Sequence, residues 1–509
     1  MPGGLTTDLY ELNMAASYLR RGMTAPATFS LFVRRLPPNR GFLVAGGLGP
    51  ALDWLERFGF DADDLDYLSA IGFPDDSVEA FGRLRFTGEV RAMPEGRVVF
   101  ADEPLLEVTA PLPEAQLVET YLLNQITYQT ALATKATRCR LAAAGRITLV
   151  EFGFRRTHGV EAGLAAARAS AIAGFASTSN VEAARAFGLV PSGTMAHAYI
   201  EAFPTEVEAF AAFAEDQPGA PTFLVDTYDT ASGVGHAIEV IRRLGLADTS
   251  AVRLDSGDLI ALSFDARAML DAAGLQRVRI FVSGGLDESD LSRLVAAGAP
   301  VDAAGIGTKL GVSADAPYLD SAYKLVEYAG RPVAKLSAGK ATLPGAKQVF
   351  RTPGADDTIG LAAETAPPGA VGLLEQVMKQ GHHVGVRDSL TAAGGHLNAD
   401  LAALPSGVRR LSEPVVPVAR ISAALASLTL QVAERARRQR EGRRPPDGKR
   451  HTPAQPVAAA CSAPAQAPGA PGRGNASMLR APEPSPILRS VASIPGAGVR
   501  NGPCPAGLP

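Results

Sequence analysis

Between about residues 147 and 310 the chain repeats one pattern: a short, nearly continuous apolar run, a polar turn, then a helical stretch. The apolar runs are ITLVEFGFR, LVPSGTMAHAYI, TFLVDTYD, AVRLDSGDL, VRIFVSGGL and VDAAGIGTKL. Helical segments such as GLAAARASAIAGF, EVEAFAAFAED, GHAIEVIRRLG and FDARAMLDAAG separate them. Apolar runs alternating with helices predict parallel strands covered on both faces. About six such units favour a closed or partly closed α/β barrel. An open doubly wound sheet is the alternative that periodicity leaves standing. In either fold, polar residues gather at the C-terminal ends of the strands, where α/β active sites form.

The flanking regions have a different texture. Thr6-Thr7-Asp8 predicts a helix start, leading through Leu9, Leu12 and Tyr18. ATFSLFVRRLP reads as a strand, Gly41 to Gly47 as a glycine-rich turn into a helix, and Gly96–Phe100 and Leu105–Val108 as strands. From Glu114 to about Ala144 the spacing predicts one helix. Beyond Leu310, YKLVEYAGRPVAKLS and KQVFR return to a strand pattern, and ISAALASLTLQVAERARRQR predicts a closing helix. From about Glu441 the chain is Pro, Ala, Gly and Arg with few large apolar residues. Such a segment buries too little surface to offset its ordering entropy and is expected to be disordered. The expected division is a mixed segment 1–135, the barrel 136–320, a strand-rich return with a closing helix 321–440, and a tail 441–509.

Bulk properties narrow the function classes. The 509 residues suit two to three domains, with 46% hydrophobic and 20% charged residues. A net charge of −3 gives no global pull toward nucleic acid or membrane. No apolar run reaches the ~18–20 residues of a spanning helix. The opening MPGGLTTDLYEL lacks a secretory pattern. Three scattered cysteines, Cys139, Cys461 and Cys504, suit neither a disulfide framework nor a cysteine zinc site. A cytoplasmic protein is expected. The basic run from Arg435 to Arg450 reads as a solvated tail.

Candidate chemistry sits at the strand ends. GFRRTH supplies Arg155, Arg156 and His158, and SGTMAHA supplies His197 after Gly193-Thr194. DTYD supplies Asp226 and Asp229; VRLDSGD supplies Arg253, Asp255 and Asp258. Ser283, Gly284 and Gly285 follow in VSGGL, and Gly305, Gly307 and Thr308 in GIGT. Paired glycines let backbone N–H groups approach a phosphate. Carboxylates suit ribose hydroxyls or magnesium, and arginines suit carboxylates or pyrophosphate. Each residue also has a bland reading: Asp258 and Asp287 as helix caps, Ser179-Asn180 as the cap of VEAARAF, Gly-Gly as a tight turn. Polar groups at five consecutive strand ends favour a phosphosugar site. No P-loop is present, and His382-His383 falls in a polar loop without partner ligands. No structural metal is assigned.

These blocks resemble the nicotinate phosphoribosyltransferase family. LTTDLYELNMA, EFGFRRTH, GFASTSNVEAARAFG, SGTMAHAYIEAF, FLVDTYDT, AVRLDSGDL, IFVSGG, GIGTKL and KLSAGKATLPGAKQVFR are similar to family blocks and occur in order over roughly residues 5 to 435. The resemblance implies an α/β sandwich plus an irregular barrel. It also implies conversion of nicotinate and phosphoribosyl pyrophosphate to nicotinate mononucleotide and pyrophosphate in NAD biosynthesis. The implied reaction is coupled to ATP as co-substrate, uses magnesium, and runs in a homodimer. It makes His197 the histidine phosphorylated by ATP, with Arg253 and Asp226 as further catalytic residues. Tyr10 would stack on nicotinate across a dimer interface, and Arg155 and Arg253 would face nicotinate and the phosphoribosyl group. Phe154, Gly193, Thr194, Asp255 and Ser283 complete the expected substrate-binding set, with Gly284, Gly285, Gly307 and Thr308 as the 5′-phosphate cradle. Rival readings are a nicotinamide phosphoribosyltransferase, a phosphosugar aldolase or isomerase using Lys309, and a non-enzymatic scaffold.

Overall fold

The computed structural model describes residues 3–441, apart from 218, 338, 354–355 and 386–387. The tail expected to be disordered lies outside the described residues. Six parallel strands form the central sheet, in the order Ser177–Thr178, Thr148–Glu151, Ala303–Ile306, Arg279–Val282, Ala251–Leu254 and Thr222–Leu224. Thr148–Glu151, earliest of the six in the chain, pairs with Ala303–Ile306, the last. That pairing curls the sheet into an irregular half-barrel, open between Ser177–Thr178 and Thr222–Leu224. The strands are short and largely buried, as expected where helices cover the outside.

One predicted strand is corrected. LVPSGTMAHAYI contributes only an isolated bridge, Thr178 to Pro191, before the helix His197–Glu201. Proline has no N–H to donate to a ladder, and the Ser192-Gly193 turn follows at once. The place of a strand is taken by Ser177–Thr178, just before the Ser179-Asn180 pair expected to cap the next helix.

The capping expectations fit the structure. Asp258 accepts from the N–H groups of Ile260 and Ala261, and Asp287 forms a reciprocal capping box with Asp290. Asn180 accepts from Ala183, and Asp229 from Ser232 at the start of the helix Thr230–Leu244. Asp229 and Asp258 therefore serve the helices that follow them.

A seven-stranded antiparallel sheet forms the second layer. Its order is Arg331–Pro332, Ser321–Tyr328, Pro26–Val33, Pro104–Pro111, Glu89–Ala92, Glu375–Lys379 and His382–His383. Pro26–Val33 pairs on one side with Pro104–Pro111 and on the other with Ser321–Tyr328, so segments before and after the half-barrel share one sheet. His382–His383, read as loop, is a short edge strand against Met378 and Lys379. The predicted long helix divides at Val118 into Leu112–Leu117 and Glu119–Ala143.

Glu119–Ala143 joins the two hydrophobic cores. Leu122, Ile126 and Ala131 pack in the sandwich core; Leu132, Ala133, Ala136 and Cys139 pack in the barrel core. Between them it carries buried Lys135 and Arg138. Lys135 meets Glu288 and, at 3.1 Å, Asp315; Arg138 meets Glu288 at 2.9 Å, and Arg40 meets Asp315 at 2.9 Å. Buried charges are tolerated when paired in this way, and here the pairing fixes the helix against both layers. Among the described residues no helix is long and apolar enough to cross a membrane.

Candidate active site

The C-terminal ends of the parallel strands open onto one cleft of about 930 Å³, lined by Phe152, Phe154, Arg155, Ser179, Gly193, Thr194, Met195, Ala196, His197, Leu224, Arg253 and Asp255. Arg253 is its organising side chain. Nε donates to Ser283 Oγ at 2.8 Å, Nη1 to Thr194 Oγ1 at 2.8 Å and to the Met195 carbonyl at 3.3 Å, and Nη2 to Asp255 Oδ1 at 2.7 Å. Its guanidinium carbon lies 5.8 Å from the Phe152 ring centroid. A planar guanidinium can satisfy partners on three strand-end loops at once; an ammonium could not.

Asp255 is the second hub. Burial opposes its ionisation, but hydrogen bonds from Ser283 and Arg253 and the adjacent positive charge outweigh that and hold its pKa below the usual carboxylate range. Its backbone N–H donates to Asp226 Oδ2 at 3.0 Å, which also accepts from Ser256 Oγ at 2.6 Å. His197 Nε2 lies 4.0 Å from Asp255 Oδ2, and Nδ1 lies 3.1 Å from Thr227 Oγ1. One carboxylate thus links the arginine of one strand to the histidine of another loop.

Beneath the cleft, burial raises the pKa of Glu151, with hydrogen bonds from Thr178 and the Gly153 N–H acting against that rise. These contacts tie two neighbouring strand ends together.

The glycines have steric reasons to be there. Gly284 adopts φ +99°, and a Cβ on it would lie 1.9 Å from the Asp255 carbonyl oxygen. A Cβ on Gly307 would lie 2.8 Å from the Phe152 carbonyl oxygen. Both turns follow adjacent strands, Arg279–Val282 and Ala303–Ile306, so they stand side by side on the rim.

Of the residues singled out from sequence, Phe154, Arg155, Gly193, Thr194, His197, Arg253 and Asp255 line the cleft. Asp226 and Ser283 join through hydrogen bonds, and Gly284 through its approach to Asp255. Gly285 continues that turn, while Gly307 and Thr308 begin the short helix Thr308–Gly311. Tyr10 does not line the cleft. It sits 47% exposed on the helix Leu9–Arg20, with Glu11 and Glu119 among its charged neighbours.

Residues 5–127 match the nicotinate phosphoribosyltransferase (NAPRTase) N-terminal domain, and residues 147–348 match the NAPRTase family itself. A curated nicotinate phosphoribosyltransferase of Mycobacterium tuberculosis, pncB2, is 47% identical over 84% of this chain and 94% of its own. The chain belongs to the nicotinate phosphoribosyltransferase family. The Bacillus subtilis nicotinate phosphoribosyltransferase is 45% identical over 68% of this chain and 72% of its own. The crystal structure of human nicotinic acid phosphoribosyltransferase superposes with a TM-score of 0.75 at 30% identity, covering 84% of this chain and 99% of the human one.

Sequence reasoning overlooked some residues of this family member's cleft. Phe152 lines it and lies against Arg253; Ser179, expected only as part of a helix cap, lines it; and Thr227 contacts the histidine. Thr227 stands beside Asp226 in DTYD, so the strand-end rule could have found it. Phe152 gave no such signal, because an aromatic residue ending an apolar run reads as core. Lys309 is held 2.9 Å from Asp287 and 3.2 Å from Asp290. Partial burial works against its charge, but the two aspartates outweigh that and raise its pKa. A Schiff-base lysine needs the opposite shift and a place in the cleft, and Lys309, paired with two aspartates, is not among the residues that line it.

Proposed function

We propose that this chain transfers the phosphoribosyl group of phosphoribosyl pyrophosphate to nicotinate, with ATP coupling through a phosphohistidine at His197. The observation that carries the proposal is the sharing of Asp255 between Arg253 and His197 at one strand-end rim. Family membership supplies the substrate pair, and the geometry suits it.

The adjacent turns at Gly284-Gly285 and Gly307-Thr308 would offer backbone N–H groups to the 5′-phosphate, the glycines leaving the backbone uncovered there. Arg155, exposed at the mouth, suits the nicotinate carboxylate better than a neutral amide, and Phe154 offers an aromatic face. In the transfer step the pyridine nitrogen attacks ribose C1 as the bond to the pyrophosphate oxygen breaks. Positive charge grows on the sugar and negative charge on the leaving group. Arg253, neutralised on one side by Asp255, keeps its remaining charge directed at the cleft.

Magnesium fits the donor set of this cleft. Asp226 and Asp255 offer hard oxygens, and Asp226 Oδ1 is buried with no hydrogen-bond partner among the described residues. These two carboxylates would hold the ion with pyrophosphate oxygens, and the ion would neutralise charge on the departing group. In the ATP half-reaction a histidine nitrogen attacks the γ-phosphorus, the P–O bond to ADP breaks, and water later cleaves the P–N bond. Tyr10, exposed and outside the cleft lining of its own chain, would meet nicotinate from a second copy, so the active unit is a homodimer in this reading.

The test measures nicotinate mononucleotide formation with and without ATP. Wild type should be stimulated by ATP, and His197→Ala should keep slower turnover that ATP no longer stimulates. Equal ATP dependence in both would overturn the phosphohistidine, and a strong preference for nicotinamide would overturn the substrate assignment.

A further inference from the structure

We propose that Thr227 is a positioning residue that fixes the His197 imidazole with its proton on Nδ1, leaving Nε2 as the nitrogen that takes phosphate. The inference rests on the phosphoryl transfer to His197 proposed above. Its basis is the pairing of Thr227 Oγ1 with His197 Nδ1 at 3.1 Å, while Nε2 looks toward Asp255 Oδ2 at 4.0 Å. A neutral imidazole has one N–H donor and one lone-pair acceptor, and only the lone-pair nitrogen attacks phosphorus. Nδ1 is engaged by the hydroxyl, which leaves Nε2 as the nitrogen free to attack; for that attack Nε2 carries the lone pair, Nδ1 carries the proton, and Thr227 accepts it.

A hydroxyl suits this task better than a carboxylate. A second carboxylate at Nδ1, beside Asp255 near Nε2, would favour the imidazolium ion, which is no nucleophile. Threonine orients the ring without adding charge. In the step itself the Nε2 lone pair forms the N–P bond, the bond from phosphorus to the ADP oxygen breaks with its electron pair, and no proton moves. The product ring then bears Nδ1–H and Nε2–phosphoryl and is formally cationic, a charge that the Asp255 carboxylate complements.

The loop that carries Thr227 has little freedom to drift. On one side Asp226 Oδ2 is held by the Asp255 N–H and the Ser256 hydroxyl. On the other, Asp229 caps the helix Thr230–Leu244 through the Ser232 N–H at 2.9 Å. Gly233 of that helix packs so closely that a Cβ would lie 2.1 Å from the Val225 carbonyl oxygen. The Thr227 backbone is therefore pinned between two anchored aspartates, which makes its hydroxyl a fixed reference for the ring.

The experiment uses full-length protein labelled with ¹⁵N-histidine, the His197 signals being assigned by their loss in His197→Ala. Nitrogen NMR reads the tautomer in wild type, Thr227→Val and Thr227→Ser. Single-turnover labelling with ATP reads the phosphorylation rate, and ³¹P NMR reads which nitrogen bears phosphate. Wild type should show Nδ1–H and Nε2-linked phosphate. Thr227→Val, of nearly equal shape, should lose the tautomer preference and phosphorylate about tenfold more slowly, the scale of one lost hydrogen bond. Thr227→Ser should recover to within about threefold. A wild-type proton on Nε2, phosphate on Nδ1, or a Thr227→Val protein matching wild type in tautomer and rate would each overturn the assignment. If the tautomer behaves as expected but no variant accepts phosphate from ATP, Thr227 stands as the orienting residue and the ATP-coupled reading fails.

Discussion

Replacing Gly284 by alanine tests whether the rim turns hold the catalytic loop in place. The residue has φ +99°, a region that costs an L-residue about 1–2 kcal/mol. The added Cβ would also start 1.9 Å from the Asp255 carbonyl oxygen, whereas real Cβ contacts essentially never fall under 3.0 Å. The turn and the Asp255 backbone must therefore separate by at least about 1 Å. Relieving such overpacking adds about 1–3 kcal/mol. Asp255 accepts from Arg253 at 2.7 Å and faces His197, so a shift of that size disturbs both. Misplacement on this scale costs about 100-fold in rate. The assay pairs kcat/KM for nicotinate mononucleotide formation with urea denaturation. Gly274→Ala is the control, because Gly274 has φ +76° with nothing within 4 Å of the added Cβ. It should lose about 1 kcal/mol of stability and no activity. If Gly284→Ala kept kcat/KM within about twofold of the control, the turn would not be what positions Asp255.

Arg253→Lys should lower kcat/KM by about 100-fold while the protein stays folded, because one ammonium cannot reach Ser283, Thr194 and Asp255 together; near-normal kinetics would remove the arginine from its organising role. Glu11→Gln addresses pH dependence: burial, reinforced by Glu119, raises the Glu11 carboxyl to about 7 against hydrogen bonds from Thr120 and Thr7. The folded state then holds that proton more tightly than the unfolded chain, so the contribution is present below the ordinary value of 4.5 and is lost as pH rises through about 7. Wild type should lose stability relative to Glu11→Gln between about pH 5 and pH 8 in urea denaturation, and parallel pH profiles would contradict this.

Much of the local structure was legible from sequence because its causes are local. Asp258 and Asp287 were read as helix caps from their position before amphipathic stretches, and their carboxylates accept from the first-turn N–H groups. The run ATFSLFVRRLP announced the strand Pro26–Val33 through its β-branched and aromatic content. The LVPSGTMAHAYI segment misled because apolar residues at both ends imitate a strand, while Pro191 and Gly193 between them forbid a ladder. Ser177–Thr178 was missed for the converse reason: it is polar and two residues long, and it becomes a strand only because Val150 and Glu151 lie alongside it.

By itself the sequence determined the alternation of elements, their caps, and the polar residues at each strand end, since these follow from side-chain chemistry a few positions apart. Only the tertiary structure decided which ends are neighbours. Strand order places Ala251–Leu254 beside Arg279–Val282, so Arg253 reaches Ser283, and brings the SGTMAHA segment across the open side of the half-barrel, so Thr194 and His197 meet Arg253 and Asp255. Hydrogen bonds between residues some 30 to 60 positions apart have no periodicity to read; they exist because burial of both faces of a curled sheet fixes the order of its strands.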